Sequence, residues 1–416
     1  MARNRKNYNK NNNRNKNNNR NKKNRNNNNK KKGGNVFIPK FFWNNNQGVA
    51  GRYAGVLEIN EKGWGFIRKL DYEFSYNPRD PFLKPEEVKA LELRQGLILE
   101  GEFEEDHQGN KHVFSVDMVN RQPLEAWTRC PRFERQTPIM PVDWIRMGEN
   151  PDDIEMRVID LIAPIGKGQR ALIVAPPRTG KTVLLKQIAN SLAVNHPDIH
   201  LSVLLVDERP EEVTDFIRST DAEVFASSND KKTQNHVRVT EMALEYAKRK
   251  AEMGGDAVLL IDSLTRLGRA YNAMQTNSGR TLSGGLDIRA LEIPKKIFGS
   301  ARKIENGGSL TIIATCLVET NSRMDDLIFE EFKGTGNMEL VLDRELANDR
   351  IYPAINVTAS GTRNENKFIT DSLEERNMVR RYLLKKSPRE SMLGLLKVLK
   401  NTESNQELLN QIAALV

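Results

Sequence analysis

The sequence predicts an α/β domain built on a mostly parallel sheet, preceded by a small β-barrel and a disordered basic tail. Three observations carry this. From about residue 151 to the end, short and almost wholly apolar runs alternate with segments of helical period, as expected of strands covered on both faces. Between residues 48 and 122 the runs are shorter, alternate in polarity and recur at close spacing, the pattern of a small barrel. Residues 1–47 are almost entirely Asn, Lys and Arg, with too little apolar surface to offset the entropy lost on ordering. Residues 123–150 carry Pro123, Pro131, Pro138 and Pro141, with Pro151 just beyond. They read as an ordered linker between the barrel and a domain spanning residues 151–416.

The tail explains the charge. The chain of 416 residues has a formal charge of +9, but residues 1–40 hold 14 Lys and Arg and no acid. The first acid is Glu58, and the remainder has 50 basic against 55 acidic residues. Such a tail is either a sequence-nonspecific electrostatic arm for nucleic acid or a solubilising segment. Cys130 and Cys316 are far apart, and His107, His112, His196, His200 and His236 show no ligand spacing, so neither a disulfide framework nor a zinc site is expected. The N-terminus lacks an apolar signal-like region, and no apolar run nears the roughly 18 residues of a membrane span. The expected compartment is the cytoplasm, with no membrane partner.

In the barrel, strands are expected at residues 55–59, 64–68, 97–103 and 112–116. The two-residue period puts Trp64, Phe66 and Arg68 on one strand face, between glycines. There they either stack bases, with Arg68 giving a phosphate or cation–π contact, or point inward as core. Ile67 supplies the opposite face, which favours stacking.

In the α/β domain, strands are expected at 171–175, 201–206, 223–226, 257–261 and 310–314, with helices at 182–194, 210–219 and 235–253. The stretch from residue 373 to the end has helical period throughout. Residues 175–182, Ala-Pro-Pro-Arg-Thr-Gly-Lys-Thr, follow an apolar strand and open into a helix. Strand, loop and helix in that order form a phosphate-binding loop, where backbone N–H groups and a helix N-terminus converge on an anion. Pro177, Arg178, Thr179, Gly180, Lys181, Thr182 and Val183 are its candidate nucleotide-binding residues. Lys181 can reach terminal phosphates, and Thr182 can ligate Mg²⁺. Ala175 stands where the usual pattern has Gly. The run 257–261 ends in Asp262, placed to hold Mg²⁺ through water. Glu208, at a third strand end, either polarises an attacking water or, with Asp207, caps the helix that Pro210 begins. Three loops with single basic residues lie at 277–285, 321–326 and 333–337, the first and the last of them Gly-rich. They suit nucleic-acid phosphates or are ordinary surface loops.

Taken together, Lys62-Gly-Trp-Gly-Phe-Ile-Arg68, Pro164-Ile-Gly-Lys-Gly-Gln-Arg170, the 175–182 loop and Val206-Asp-Glu-Arg-Pro-Glu-Glu-Val213 resemble the bacterial transcription termination factor Rho family. So do Asp262-Ser-Leu-Thr-Arg266, Glu330-Glu-Phe-Lys-Gly-Thr-Gly-Asn337 and Ser360-Gly-Thr-Arg363. The match runs from about residue 50 to the C-terminus, and P-loops of that family also lack the first Gly. The resemblance implies an OB-fold, cold-shock-like RNA-binding barrel before a RecA-like motor. It implies a homohexamer that uses ATP and Mg²⁺ to move along nascent single-stranded RNA, unwind RNA–DNA hybrids and terminate transcription at the RNA polymerase elongation complex. Carried over by position, Lys181 and Thr182 hold phosphate and Mg²⁺, Asp262 is the Mg²⁺ carboxylate and Glu208 activates water. Arg363, assisted by Arg350, resembles an arginine finger for the neighbouring subunit, and Tyr352 the adenine-stacking ring. Arg280, Ser283 and Gly284 match one central-channel RNA loop, Arg323 a second. Trp64, Phe66, Arg68 and Phe82 match the primary RNA site. Arg209, Ser263 and Arg266 match the pocket of the inhibitor bicyclomycin. Two features depart from the family: the tail stands where a small helical domain is usual, and Trp64 where Phe is common.

The alternative is an RNA-coating hexamer in which nucleotide only locks the ring. Such a protein is free to lose Glu208 or Arg363, and this chain keeps both.

Overall fold

The computed structural model describes residues 50–275, 285–370 and 372–413. The basic tail lies outside the described residues, as do Arg280, Ser283 and Gly284.

The first sheet comprises β1 (Gly51–Ile59), β2 (Gly65–Arg68), β3 (Phe82–Leu83), β4 (Ile98–Glu105), β5 (Lys111–Val113), β6 (Met118–Val119) and β7 (Gln122–Pro123). Its order is β1-β2-β3-β5-β4-β6-β7, and β1 also pairs antiparallel with β4, which closes the barrel. Leu57, Ile67, Leu83, Leu97, Leu99 and Val113 fill the interior. The barrel wall is tight at Gly55, where a Cβ would stand 2.3 Å from the Arg68 carbonyl oxygen. Sequence alternation anticipated β1, β2, β4 and β5. It missed the two-residue strands and the helix α1 (Pro85–Ala90), which are too short to show a period.

The linker is ordered. It holds a helix at Leu124–Thr128, and Pro138–Ile139 pairs with Arg302–Ile304 of the next domain. Phe133 is buried, and its amide donates to Glu252 at 2.6 Å.

The second sheet carries β8 (Arg170–Ala175), β9 (His200–Glu208), β10 (Glu223–Ser228), β11 (Asp256–Asp262), β12 (Ser309–Leu317), β13 (Met338–Val341) and β14 (Gly361–Thr362). The order is β10-β9-β11-β12-β8-β13-β14, parallel from β10 to β13 and antiparallel at the β14 edge. Helices cover both faces: α2 (Ile154–Ile162), α3 (Lys181–Asn195), α4 (Pro210–Ser219), α5 (Thr233–Glu252), α6 (Leu264–Met274) and α7 (Arg323–Lys333). Two apolar clusters, one on each face, account for the unbroken apolar strands. After β14, α8 (Leu373–Leu383), α9 (Pro388–Leu399) and α10 (Asn405–Ala413) pack back on the α2 side, contributing Val379, Met392 and Leu399 to that cluster. Buried Arg157 of α2 donates to the Leu399 and Thr402 carbonyls at 3.0 and 2.7 Å, satisfying the end of α9.

The barrel docks on the α/β domain through the connection between β2 and β3. Phe74 is fully buried in the core of the α/β domain and stacks on Phe225 of β10, with centroids 4.5 Å apart. The Ala226 amide on the outer edge of β10 donates to the Tyr72 carbonyl at 2.6 Å. Arg238 of α5 donates to the Phe74 carbonyl at 2.8 Å and to Glu58 of β1 at 2.6 and 3.0 Å. Among the described residues no helix is long and apolar enough to cross a membrane.

Candidate nucleotide and base-stacking sites

The first site lies at the C-terminal ends of β8, β9 and β11, where parallel α/β sheets bind ligands. β8 ends at Ala175, and the loop turns on Gly180, whose φ of +86° strains any L side chain. Lys181 is the first residue of α3, so the helix N-terminus faces the same space. Thr179 is buried and closes the loop by donating to the Pro176 carbonyl at 2.8 Å. Arg178 is exposed on the loop, with Pro177 half-buried beside it.

Lys181 Nζ bonds the Asp262 carboxylate and lies 4.0 Å from Glu208 Oε1. Asp262 also accepts from Thr315 Oγ1 at 2.8 Å. Glu208 is buried at the end of β9 and bonds Arg266 of α6 at 2.8 Å. Arg266 reaches further, to the carbonyl of Asp207, whose φ is +56°. Burial, reinforced by the nearby Asp262 charge, pushes the Glu208 carboxyl up to about 7. Its Oε2 is buried with no hydrogen-bond partner. Of the two roles open to Glu208, helix capping is not the one seen: no side chain accepts from the first turn of α4. Sequence reasoning missed the direct Glu208–Arg266 contact, because α6 and β9 meet only in the fold.

A cavity of about 300 Å³ lies beside the loop, lined by Thr179, Gly180, Val183, Leu342, Tyr352 and Pro353 among others. Val183 and Tyr352 are exposed, 61 % and 45 %, on its walls. Two large apolar side chains left open around a slot suit a flat heterocycle. Leu342 and Pro353 have no sequence signature of their own. Arg350 and Arg363 are both exposed. Arg209 is exposed on the rim, while Ser263 is fully buried and caps α6 by accepting from the Arg266 amide.

Arg323 begins α7 and is exposed. A cation is unfavourable at a helix N-terminus, and buried Asp325 offsets it, braced by Arg269 at 2.9 Å and Thr320 at 2.6 Å. The 333–337 turn fixes the start of β8. Asn337 accepts there from the Arg170 amide and from Gln169, and the Thr335 carbonyl accepts from the Arg170 side chain.

The second site is on the barrel. Trp64 and Phe82 sit 5.7 Å apart, tilted by 48°. With Phe66, Asn60, Lys62, Asp80 and Lys111 they line a cavity of about 440 Å³. Phe82 is braced from behind by His112, which bonds Glu87 at 3.0 Å. Arg68 differs from the expectation. It is 7 % exposed, held by Glu58 at 2.5 Å and Asp80 at 2.9 Å. It makes cation–π contacts with the protein's own rings, Phe66 and Tyr76, and the two carboxylates compensate its charge. The reason is tertiary: Glu58 lies across the sheet and Asp80 on the following loop.

Known proteins show what the two halves of the chain resemble. Residues 53–125 match the Rho termination factor RNA-binding domain, and residues 155–362 the nucleotide-binding domain of the ATP synthase alpha/beta family. The transcription termination factor Rho of Pseudomonas fluorescens is 47 % identical over 359 residues, covering 85 % of this chain and 86 % of its own. The chain belongs to the Rho family. Rho of Thermotoga maritima is 46 % identical over 361 residues, covering 86 % of this chain and 84 % of its own. Among solved structures, the assembled type III secretion ATPase EscN has a TM-score of 0.53 at 22 % identity, covering 67 % of this chain and 72 % of its own. The ATP synthase subunit NeqB gives 0.54 at 16 %, covering 67 % and 80 %. These likenesses show the fold of the α/β domain, and the barrel with Trp64 and Phe82 is an addition to it.

Proposed function

We propose that this Rho-family chain is an RNA-dependent ATPase that assembles as a homohexamer, translocates along nascent RNA, unwinds RNA–DNA hybrids and terminates transcription at RNA polymerase in the cytoplasm. The observation that carries the ATPase is the convergence of Lys181, Asp262, Glu208 and Arg266 at one sheet edge. Lys181 leaves Asp262 for the terminal phosphates when ATP enters. Asp262, the Thr182 hydroxyl and the unpartnered Glu208 Oε2 supply oxygen donors that fit Mg²⁺ and an attacking water. Mg²⁺ supplies charge neutralisation at those phosphates. Glu208, with its raised affinity for a proton, accepts one from water. Tyr352 and Val183 take the adenine. Arg363, with Arg350, completes the site of a neighbouring subunit.

RNA enters at Trp64, Phe66 and Phe82 and passes Arg323, Arg280, Ser283 and Gly284 in the ring. Arg209 and Arg266 are the groups a bicyclomycin-type inhibitor reaches, with Ser263 behind them. Residues 48–122, 123–150 and 151–416 then act as RNA-binding domain, linker and motor, and residues 1–47 as an accessory arm. Hydrolysis measured with poly(C), poly(U) and no RNA tests the reading. RNA-stimulated turnover that Lys181→Ala abolishes is expected. Turnover indifferent to RNA would refute the coupling, and hydrolysis surviving in Lys181→Ala would refute the site.

A further inference from the structure

Beside the Trp64–Phe82 pocket stands a second aromatic surface. Tyr76, in the connection between β2 and β3, is 66 % exposed. Single exposed aromatics are ordinary on protein surfaces, so exposure by itself says little; the way this ring is mounted says more. The Arg68 guanidinium lies over the Tyr76 ring at 4.8 Å and over the Phe66 ring at 4.7 Å. Phe66 lines the base pocket. Arg68 is stapled by Glu58 and Asp80, so it acts as a spacer that holds two aromatic rings at fixed separation.

The loop is held as firmly. Phe74 is anchored in the motor core, the Asn77 amide donates to Asp80 at 3.0 Å, and the Arg79 amide donates to Asn77 Oδ1 at 2.9 Å. Pro78 and Asp80 line the same cavity as Trp64 and Phe82, so the loop that presents Tyr76 is also a wall of the pocket. Arg79, between them, is exposed and makes no ion pair among the described residues. A pre-ordered aromatic with a free guanidinium three residues on, next to a base pocket, is what a single strand needs for one more stacked base and its phosphate.

We propose that Tyr76 forms a second base-stacking subsite, taking the nucleotide adjacent to the one held by Trp64, Phe66 and Phe82, with Arg79 against a neighbouring backbone phosphate. The proposal rests on the RNA reading of the pocket. It gives Arg68 a positioning role under Tyr76, beside the RNA contact expected from its strand face.

The test uses the full chain and a short pyrimidine ribo-oligonucleotide carrying 5-iodouridine. Affinity and photocrosslinks are measured for the parent, Tyr76→Ala, Tyr76→Phe, Arg79→Ala and Trp64→Ala. Tyr76→Ala is expected to weaken binding about tenfold, the size of one lost stack, while Tyr76→Phe stays within about twofold of the parent. Arg79→Ala is expected to lower the slope of log affinity against log salt by about 0.7, one phosphate on a single strand. A crosslink mapped to Tyr76 reports direct stacking, which a ring that merely props Arg68 does not give. Tyr76→Ala within twofold of the parent, or crosslinks confined to the Trp64–Phe82 pocket, overturns the second subsite and leaves the pocket standing if Trp64→Ala is impaired. If Trp64→Ala also binds normally, the pocket reading itself is wrong.

Discussion

Replacing Phe74 by alanine should loosen the barrel from the α/β domain at one identifiable place. Phe74 is fully buried and stacks on Phe225 at 4.5 Å with the rings 20° apart. Removing a buried Phe ring costs about 3–5 kcal/mol, and the cavity cannot collapse easily, since Phe225 is itself held edge-on by Tyr246 at 5.3 Å. That cost falls on the docked loop. The reporter is the Ala226 amide, which faces outward from the edge strand β10 and is covered only by the Tyr72 carbonyl at 2.6 Å. If local undocking exposes this amide, a loss of about 3 kcal/mol speeds its exchange on the order of a hundredfold. Hydrogen exchange by mass spectrometry on peptides spanning β10 and residues 70–76 measures this. Exchange should accelerate in both segments, while β11 at the sheet centre keeps its protection. An Ala226 peptide exchanging within threefold of the parent would refute the docking role. Phe74→Leu, which refills most of the space, should lie between the two.

Three further outcomes follow from the nucleotide site and the barrel wall. Because Glu208 is held up at about 7 and acts as a base only when deprotonated, RNA-stimulated hydrolysis should fall as pH drops below about 7, and Glu208→Gln should remove turnover at every pH. The same raised carboxyl favours the fold while protonated, so its contribution is present at low pH and lost as pH rises through about 7; in thermal melts without nucleotide, Glu208→Gln should gain on the parent as pH rises from 5 to 8. Tyr352→Ala should raise the KM for ATP about tenfold and change kcat far less, since the ring lines the cavity but does not meet Lys181 or Glu208; an unchanged KM would move adenine elsewhere. Gly55→Ala, which forces a Cβ against the Arg68 carbonyl at 2.3 Å, should destabilise the barrel by about 1–3 kcal/mol, visible as lost RNA affinity with RNA-independent hydrolysis retained.

The parts whose signal is contiguous are legible in the amino-acid order alone. The P-loop is legible because strand, loop and helix follow each other within residues 170–195, and the loop's chemistry depends on backbone groups and two adjacent side chains, Lys181 and Thr182. The parallel sheet is legible because strands buried on both faces must be mainly apolar along their middles, as β8, β9, β11 and β12 are. Asp262 and Glu208 are legible as carboxylates at strand ends. Only the tertiary structure decided which partner each charged group takes. Periodicity placed Arg68 beside Trp64 and Phe66, yet Glu58 and Asp80 neutralise it there, and Arg238, 180 residues away in sequence, shares the same Glu58. Phe74, which no sequence pattern singles out, anchors the barrel on the α/β domain. Arg266 gave no hint in sequence that it reaches Glu208 across the sheet edge. A buried charge must find its counter-charge wherever the chain brings one, and that choice is made by packing between distant segments.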